Sequence, residues 1–180
     1  LPVLSVASMV ARPVTDQQLL AAVSNSGPDR LFELIWSAQP TSTVQPVSVS
    51  AWGAPESAES DSGEARQSVV LFESEPVSGD VITEVYAATR AVLPVLQSWL
   101  SRDVAGTLVV ATRGAMTLPG EDVTDLAGAA VWGLVRSAQT EHPGRIVLVD
   151  TDASLDPDAI AAVLAVGEPQ ALRRNGMVYT

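Results

Sequence analysis

Residues 127–150, AGAAVWGLVRSAQTEHPGRIVLVD, constrain the fold of this 180-residue chain more than any other segment. They predict a helix rich in small residues, a turn at His142-Pro143-Gly144, and a strand at residues 146–149 in which every position is apolar. A strand without polar alternation is typical of a parallel sheet that is covered on both faces. The segment therefore predicts half of a βαβ unit.

The same alternation continues on both sides of this segment. Further strands are predicted at residues 44–52, 68–72, 107–111 and 177–179, and helices at residues 80–101, 122–140 and 156–166. Strands that alternate with helices indicate an α/β fold, with a parallel sheet and helices on both faces. We expect Pro94 to kink the first helix, because proline removes one backbone hydrogen bond. The polar, acidic residues 53–67 predict a mobile surface loop.

The first residues have a different pattern from the rest of the chain. A strand at residues 5–14 and a short helix at 17–22 precede the turn signal Asn25-Ser26-Gly27-Pro28, and a further strand is predicted at 31–36. The chain begins with Leu1 and has no basic leader. We therefore expect a piece of a longer polypeptide, with one segment at residues 1–27 and one domain at residues 28–180.

Composition excludes several classes of function. The chain has no cysteine, so a disulfide framework and thiolate chemistry are excluded. The net charge is −11 without a basic block, which argues against nucleic acid and against an anionic membrane surface as partners. All ten basic residues are arginine, so neither a Tyr-x-x-x-Lys pair nor a phosphate-loop lysine is present. No apolar run is long enough to span a bilayer, and we expect a cytoplasmic location.

A parallel α/β sheet invites a search for a dinucleotide site, which needs closely spaced glycines after a strand. Residues 37–41, SAQPT, contain no glycine, and neither Gly53 nor Gly79 has another glycine within five residues on either side. The fingerprint is absent wherever it is expected, so we predict no cofactor-binding residue. Gly128 and Gly133 lie inside a predicted helix instead, where we expect them to allow close packing against the sheet.

Several single residues suggest a catalytic role, but each has a simpler structural interpretation. Tyr86 and Arg90 imitate the spacing of a Tyr-x-x-x-Lys pair, but they precede the central strand and lack the upstream serine that would complete such a site. We expect a tyrosine that flanks the core and an exposed arginine. His142, the only histidine, belongs to a turn. We therefore predict no catalytic residue.

Four aspartates suggest calcium, but they lack the spacing of a calcium-binding loop, and helix capping explains the last two: Asp150, Asp152, Asp156 and Asp158. We predict no metal ligand. Arg113 follows the end of a strand, where open α/β sheets place ligands, although a salt bridge or solvent contact is the simpler interpretation. Trp99 and Trp132 face either a partner or the core of the domain.

Several stretches resemble the ketoreductase of modular type I polyketide synthases. Four stretches are similar to the structural subdomain of that ketoreductase: LFELIW at residues 31–36, GTLVVATRGAM at residues 106–116, residues 128–150, and EPQALRRNGMVYT at residues 168–180. Residues 5–22 resemble the end of the dehydratase that precedes it. The resemblance implies a truncated Rossmann-like fold without cofactor binding. It identifies residues 1–27 as a dehydratase tail with a linker, and residues 28–180 as the structural subdomain.

In that family the structural subdomain packs against a catalytic subdomain that carries the NADPH site and the Ser, Tyr and Lys of β-keto reduction. The resemblance thus implies a non-catalytic chain within a multifunctional synthase. NADPH and the phosphopantetheine of an acyl carrier belong to the parent enzyme, and the partners are the catalytic subdomain, the dehydratase and, in some modules, an enoylreductase. Two alternatives stay open: a docking or dimerisation element, and a small nucleotide-binding enzyme with an unorthodox site around Arg113.

Overall fold

A computed structural model describes residues 35–40, 44–54, 67–75, 79–102 and 105–180. The chain divides into two compact units, Leu1–Ile35 and Trp36–Thr180, and all the described residues except Ile35 belong to the second. The predicted elements of residues 1–27 lie outside the described residues, as does most of the loop predicted at 53–67. The predicted domain boundary at residue 28 stays a prediction.

The second unit is built on a six-stranded sheet whose strands follow one another in chain order. The strands are β1 (Val47–Ala51), β2 (Gln67–Glu73), β3 (Thr107–Thr112), β4 (Ile146–Thr151), β5 (Gln170–Arg174) and β6 (Met177–Tyr179). Strands β1 to β5 are parallel, and β6 pairs antiparallel with β5. The predicted α/β fold with a parallel, Rossmann-like sheet is confirmed.

Three helices connect the parallel strands: α1 (Val81–Leu100), α2 (Leu126–Glu141) and α3 (Pro157–Ala165). Each helix begins after an aspartate whose carboxylate accepts a hydrogen bond from a backbone N–H of the first turn, namely Asp80, Asp125 and Asp156. Helix α1 continues through Pro94, which lies on its exposed side. Helix α2 begins at residue 126 rather than at the predicted 122, because residues 124 and 125 bond to Gly114 O.

The helices cover both faces of the sheet. Helices α1 and α2 pack side by side on one face, against Leu108, Val110 and Leu148. Helix α3 packs on the other face, against the alternate residues of the same strands, which include Val109 and Val149. Strands β3 and β4 are buried at every position, as expected for strands covered on both faces.

The sequence analysis missed strand β5, and it identified β6 without its hairpin partner. The two strands are joined by the turn Asn175-Gly176, in which both residues have positive φ, as a two-residue hairpin turn requires. Of the strand predicted at residues 31–36, residues 31–34 lie outside the described residues. Residues 37–39, which follow it, run antiparallel beside β6 through an Ala38–Tyr179 bridge.

Candidate functional site at the carboxyl edge of the sheet

The carboxyl ends of β3 and β4 lie side by side, and the helices that follow them lie on opposite faces of the sheet. The two chain segments therefore leave the sheet edge in opposite directions and open a crevice between them. Ligands of open α/β sheets bind in such crevices, outside the carboxyl ends of the strands. This is where the geometry of the fold directs the search for a site.

The crevice is occupied by a side chain of the protein itself. Arg174, at the end of β5, extends its guanidinium to the Asp150 carboxylate of β4, with 2.6 Å between Nη2 and Oδ1. It also donates to the carbonyls of Met116 at 2.7 Å and Asp150 at 3.0 Å. Its Nε is 3.3 Å from Glu121 Oε2. The guanidinium thus ties together β4, β5 and the segment after β3.

Asp150 is completely buried, and four donors surround its carboxylate. Thr112 Oγ1 and Ala115 N each donate to Oδ2 at 2.7 Å. Oδ1 accepts from Gly114 N at 3.2 Å as well as from Arg174. Buried charge is costly unless it is both paired and hydrogen-bonded, and this carboxylate satisfies both conditions.

The environment of Arg174 has opposing effects on its pKa. Burial alone would lower the pKa, but the hydrogen bond and the charge of Asp150, with smaller contributions from Glu121, outweigh it and raise the pKa above its ordinary value. The guanidinium consequently keeps its positive charge.

A tryptophan extends this network into the helical layer. Trp132 of α2 is buried, and its indole Nε1 donates to Thr112 Oγ1 at 2.7 Å. The same hydroxyl donates to Asp150, so the chain of bonds runs from α2 through β3 to β4 and β5. Trp36 packs edge-on against Trp132, with ring centroids 6.3 Å apart. Trp99 and Trp132 were predicted to face either a partner or the core of the domain. Both are buried, so the prediction of core burial is confirmed.

The turn that follows β3 depends on two glycines. Gly114 has a φ of +88°, and its carbonyl accepts from the backbone N–H groups of Thr124 and Asp125. A side chain at Gly114 would collide with the Thr124 hydroxyl. Gly128, in the first turn of α2, donates to the Asp125 carboxylate, and a methyl group there would collide with that carboxylate.

The prediction of close packing was therefore right for Gly128, but its close neighbours Asp125 and Ala115 lie outside the sheet, so the predicted packing against the sheet was wrong. The prediction of close packing was wrong for Gly133, which is exposed and has open space where a side chain would lie. The cause is helical geometry: a step of five residues along the helix turns the chain from the buried face to the solvent face.

The rim of the crevice is acidic. A cavity of about 300 Å³ beside it is lined by Glu73, Glu75, Arg113 and four residues with short polar or small side chains. Glu121, Asp122 and Asp152 line the neighbouring depression. Arg113 is exposed and makes no ion pair within the residues that the structure describes, so of its two simpler interpretations solvent contact applies. A pyrophosphate placed here would meet at least as many carboxylates as cations.

The other residues considered from the sequence lie apart from this crevice. Tyr86 is 62% exposed, so the expectation that it flanks the core was wrong, whereas Arg90 is exposed as predicted. His142 lies in the turn after α2, as predicted, at the opposite edge of the sheet. The structure brings none of these three together with Asp150 or Arg113.

The remaining aspartates form turns and caps. Asp152 accepts from Asn175 N at 2.7 Å, and Asp156 caps α3 through Ala159 N. Across the described ranges of the chain, no three acidic or histidine side chains converge as a metal site requires.

Sequence reasoning missed the residue that closes the crevice. Arg174 lies in the pair Arg173-Arg174 before an Asn-Gly turn, and Asp150 was considered only as a calcium ligand. A usable signal was present: an aspartate at the end of an all-apolar buried strand needs a cation, and lysine is absent from the chain. Which arginine supplies the charge depends on β5, and that strand was not predicted.

Comparisons with known proteins agree with this architecture. The family model described as "Polyketide synthase extender module SpnB, Rossmann fold domain" matches residues 12–180. Mycoketide-CoA synthase of Mycobacterium tuberculosis is 69% identical over the whole chain, which covers 4% of that protein. The phenolphthiocerol synthesis polyketide synthase type I Pks15/1 of Mycobacterium marinum is 50% identical over 99% of the chain, which covers 9% of that protein.

A third relative comes from another genus. Polyketide synthase GfsB of Streptomyces halstedii is 38% identical over 98% of the chain, which covers 4% of that protein. The chain thus spans less than a tenth of the length of each of these three relatives. None of the helices that the structure describes combines the length and the hydropathy needed to cross a membrane.

Proposed function

Because this chain belongs to the Rossmann fold domain family of polyketide synthase extender modules, we propose that it is a non-catalytic structural subdomain. In this proposal it packs against the NADPH-dependent catalytic ketoreductase subdomain of a type I polyketide synthase and stabilises it. The synthase as a whole reduces β-keto intermediates held on an acyl carrier protein, and NADPH and phosphopantetheine bind elsewhere in it.

The observation that carries the proposal is the closed crevice. Arg174 fills the position at which a fold of this kind opens to a ligand, and the Asp150 carboxylate has its hydrogen-bonding capacity taken up by protein donors. Catalysis by proton transfer needs a group that can reach a substrate. Neither member of this buried pair is accessible, so the pair supports the sheet rather than a reaction.

A second observation supports packing against a neighbour. The outer side of α1 carries the exposed apolar residues Ile82, Tyr86 and Leu93, spaced so that they form one stripe along the helix. Arg90 supplies the charge of that stripe, although the chain as a whole has a net charge of −11. Exposed apolar stripes on otherwise acidic proteins mark surfaces that another protein covers.

The stripe continues onto the next helix. Leu126, at the start of α2, is 53% exposed, and Gly133 and Ser137 follow it on the solvent side of the same helix. Small and apolar side chains on two adjacent helices allow another helical layer to approach closely. The α1–α2 layer is therefore the face through which the proposed partner makes contact.

The test uses a polypeptide that joins this chain to the ketoreductase catalytic subdomain of its own synthase. Replacing Ile82 and Tyr86 together by aspartate should lower NADPH-dependent reductase activity at least tenfold and lower the melting temperature of the catalytic part. The matched control is Met177→Glu, which adds a charge at a residue of β6 that is 50% exposed and lies off the α1–α2 layer. Equal activity of the double variant and the control would contradict the proposal.

The same layer also suits a second copy of the chain, which is the dimerisation alternative. Sedimentation of the 180-residue chain separates the two. A strict monomer at high concentration favours the catalytic subdomain as the partner, and a dimer that the aspartate variants abolish favours self-association. The nucleotide-binding alternative around Arg113 has less support, because Glu73 and Glu75 line the same cavity.

A further inference from the structure

The α1–α2 layer differs from the rest of the chain in its charged residues. The chain contains 21 aspartate and glutamate residues, yet residues 85–100 of α1 and residues 126–140 of α2 contain none. A helix that faces water normally carries charged residues of both signs on its outer side. Depletion of aspartate and glutamate is instead typical of a surface that another protein covers.

One charged side chain lies at the centre of the outer side of α1. Arg90 is halfway along this 20-residue helix, four residues after Tyr86 and three residues before Leu93. Side chains at these spacings project from the same side of a helix. Tyr86 is 62% exposed and Leu93 is 42% exposed, and Arg90 is exposed between them. The guanidinium is therefore flanked by uncharged side chains along the helix.

Arg90 has no carboxylate partner within the described residues. Its guanidinium makes neither an ion pair nor a side-chain hydrogen bond with them. The positions three and four residues before and after Arg90 carry no acid. Glu84 precedes it by six residues and lies about 120° away around the helix axis, and Glu141 is the last residue of α2. The helix pair thus lacks an acid that is placed to neutralise this charge.

Covering the layer creates an electrostatic requirement. In the proposed function the layer packs against another subdomain, and Arg90 at its centre then loses its contact with water. A buried charge is costly unless it is paired with an opposite charge and hydrogen-bonded. A carboxylate meets both conditions, because it accepts two parallel hydrogen bonds from a guanidinium. The covering surface must therefore supply the carboxylate that α1 and α2 lack.

A second copy of the chain does not meet this requirement. In a symmetric dimer the same surface patch lies on both sides of the interface. Two acid-free layers would place Arg90 against uncharged side chains or against the second Arg90, so neither guanidinium would be paired. The net charge of −11 on each copy adds repulsion. The charge pattern thus favours a different protein surface as the occupant.

We propose that a carboxylate of the catalytic ketoreductase subdomain pairs with Arg90 when that subdomain covers the α1–α2 layer. This inference rests on the proposed function and specifies the chemistry of the partner surface, namely an aspartate or glutamate surrounded by apolar side chains. The apolar side chains contact Ile82, Tyr86 and Leu93 and supply the buried area. The ion pair fixes the register of the two surfaces and discriminates against wrong partners.

The first experiment changes Arg90 in the polypeptide that joins this chain to the catalytic subdomain of its own synthase. Arg90→Glu should lower NADPH-dependent reductase activity at least tenfold, because it brings two carboxylates together. Arg90→Lys keeps the positive charge and should retain at least a third of the activity. The matched control is Arg173→Glu, on the face of the sheet that α3 covers, which should leave activity unchanged. Equal activity of Arg90→Glu and Arg173→Glu would overturn the proposal.

The 180-residue chain alone separates an effect on the partner from an effect on folding. Because Arg90 is exposed and unpaired within the described residues, Arg90→Glu should change the melting temperature of this chain by less than about 3 °C. A larger decrease would show that Arg90 stabilises the chain itself. That result would overturn the assignment of a carboxylate on another subdomain.

Charge exchange identifies the carboxylate. In the Arg90→Glu polypeptide, each aspartate and glutamate on the surface of the catalytic subdomain is replaced in turn by arginine. We expect one of these replacements to raise the activity at least fivefold, although the same replacement lowers it when Arg90 is present. If none of them raises the activity, the proposal is rejected.

The double variant Ile82→Asp/Tyr86→Asp keeps this inference distinguishable from the proposed function. If the double variant loses activity while Arg90→Glu behaves like its control, the layer is covered but the carboxylate partner is rejected. If both behave like their controls, the proposed function fails and the inference fails with it. A dimer of the 180-residue chain that the double variant abolishes would place a second copy on the layer and would also overturn the inference.

Discussion

The two edges of the sheet differ in how completely their buried polar groups are hydrogen-bonded. At the carboxyl edge the Asp150 carboxylate accepts four hydrogen bonds, and Arg174 donates to three carbonyls and two carboxylates. At the amino edge an open cavity contains Gln139, whose amide oxygen has no partner among the described residues. Arg174 fills the crevice at the edge where α/β folds hold ligands and leaves a cavity of about 300 Å³ beside it, whereas the amino-edge cavity has a volume of about 670 Å³.

This difference shows that a fold does not determine its site. Both edges have the same strands and helices, and they differ in where a few long side chains extend. An arginine at the last position of β5 fills the crevice, whereas a cavity remains between the ends of α2 and α3 and the first residues of the strands. The comparison predicts that substitutions at the carboxyl edge cost more stability than substitutions at the amino edge.

The largest effect is expected for Asp150→Ala. The substitution leaves the Arg174 charge buried without its partner and removes the acceptor of Thr112 and Ala115, so the free energy of unfolding should fall by about 3–5 kcal/mol. Urea unfolding followed by circular dichroism measures it. Asp152→Ala is the control, because this exposed aspartate accepts one backbone hydrogen bond. A loss below 1 kcal/mol for Asp150→Ala would remove the basis of the comparison.

The second prediction concerns the coupling of the ion pair. Arg174→Met alone should be strongly destabilising, because it leaves the Asp150 carboxylate short of a donor. In the double variant Asp150→Leu/Arg174→Met no buried charge is left unpaired, so its loss should be smaller than the sum of the single losses by about 1–3 kcal/mol. A double-mutant cycle in urea measures the coupling. Additive losses would mean that the two side chains act independently.

A third prediction compares the two helical glycines. Gly128→Ala pushes the Asp125 carboxylate away from its capping position and should cost about 1–2 kcal/mol. Gly133→Ala adds a methyl group in open space within a helix and should stabilise by about 0.4–1 kcal/mol. Thermal unfolding of both variants measures the contrast. If both variants lower the free energy of unfolding, close packing extends to Gly133. If both raise it, Gly128 is not closely packed.

At the amino edge, Gln139→Leu should cost only about 1 kcal/mol. The variant loses two hydrogen bonds to carbonyls, which is destabilising. It also removes the unpaired buried oxygen, and the stability gained by that removal offsets part of the cost. Urea unfolding compares it directly with Asp150→Ala. A cost equal to that of Asp150→Ala would erase the distinction between the edges.

The smallest effect is expected at the exposed start of α1. The side-chain hydrogen bond from Thr83, with backbone N–H groups of Thr83 and Ile82, holds the pKa of Asp80 below its ordinary value of 3.8. A lowered pKa in the folded state contributes stability that is present above the unfolded value and is lost as the pH falls through the folded value.

Asp80→Asn should therefore lower the melting temperature slightly at neutral pH and make no difference at a pH below the folded value. Melting curves between pH 2 and pH 7 would measure the difference. If the wild type still melts at a higher temperature than Asp80→Asn at a pH below the folded pKa of Asp80, the difference does not come from the charge of Asp80.

Much of the fold followed from periodicity. The apolar runs in β3 and β4 and the cap at Asp156 predict their elements closely, because burial on both faces and capping leave local signals. Strand β5, with the sequence QALRR, was missed because its two arginines resemble a surface segment. One of them, Arg174, is buried only because Asp150 lies on the adjacent strand.

The site was harder to predict than the fold for the same reason. The missing glycine fingerprint is a local feature, and the prediction that no cofactor binds stays a prediction that the closed crevice supports. The pairing of Asp150 with Arg174 joins residues that are 24 positions apart in the chain and depends on strand order. The cavity around Gln139 also forms only when four strand ends and two helix ends come together.

The most direct measurement of the central claim is calorimetric titration of the 180-residue chain with NADPH. Because Arg174 fills the crevice and carboxylates line its rim, we expect no saturable heat at NADPH concentrations up to about 1 mM, a hundredfold above a dissociation constant of about 10 μM. Saturable binding with a micromolar dissociation constant that Arg113→Ala abolishes would contradict the account and assign a nucleotide site to the carboxyl edge.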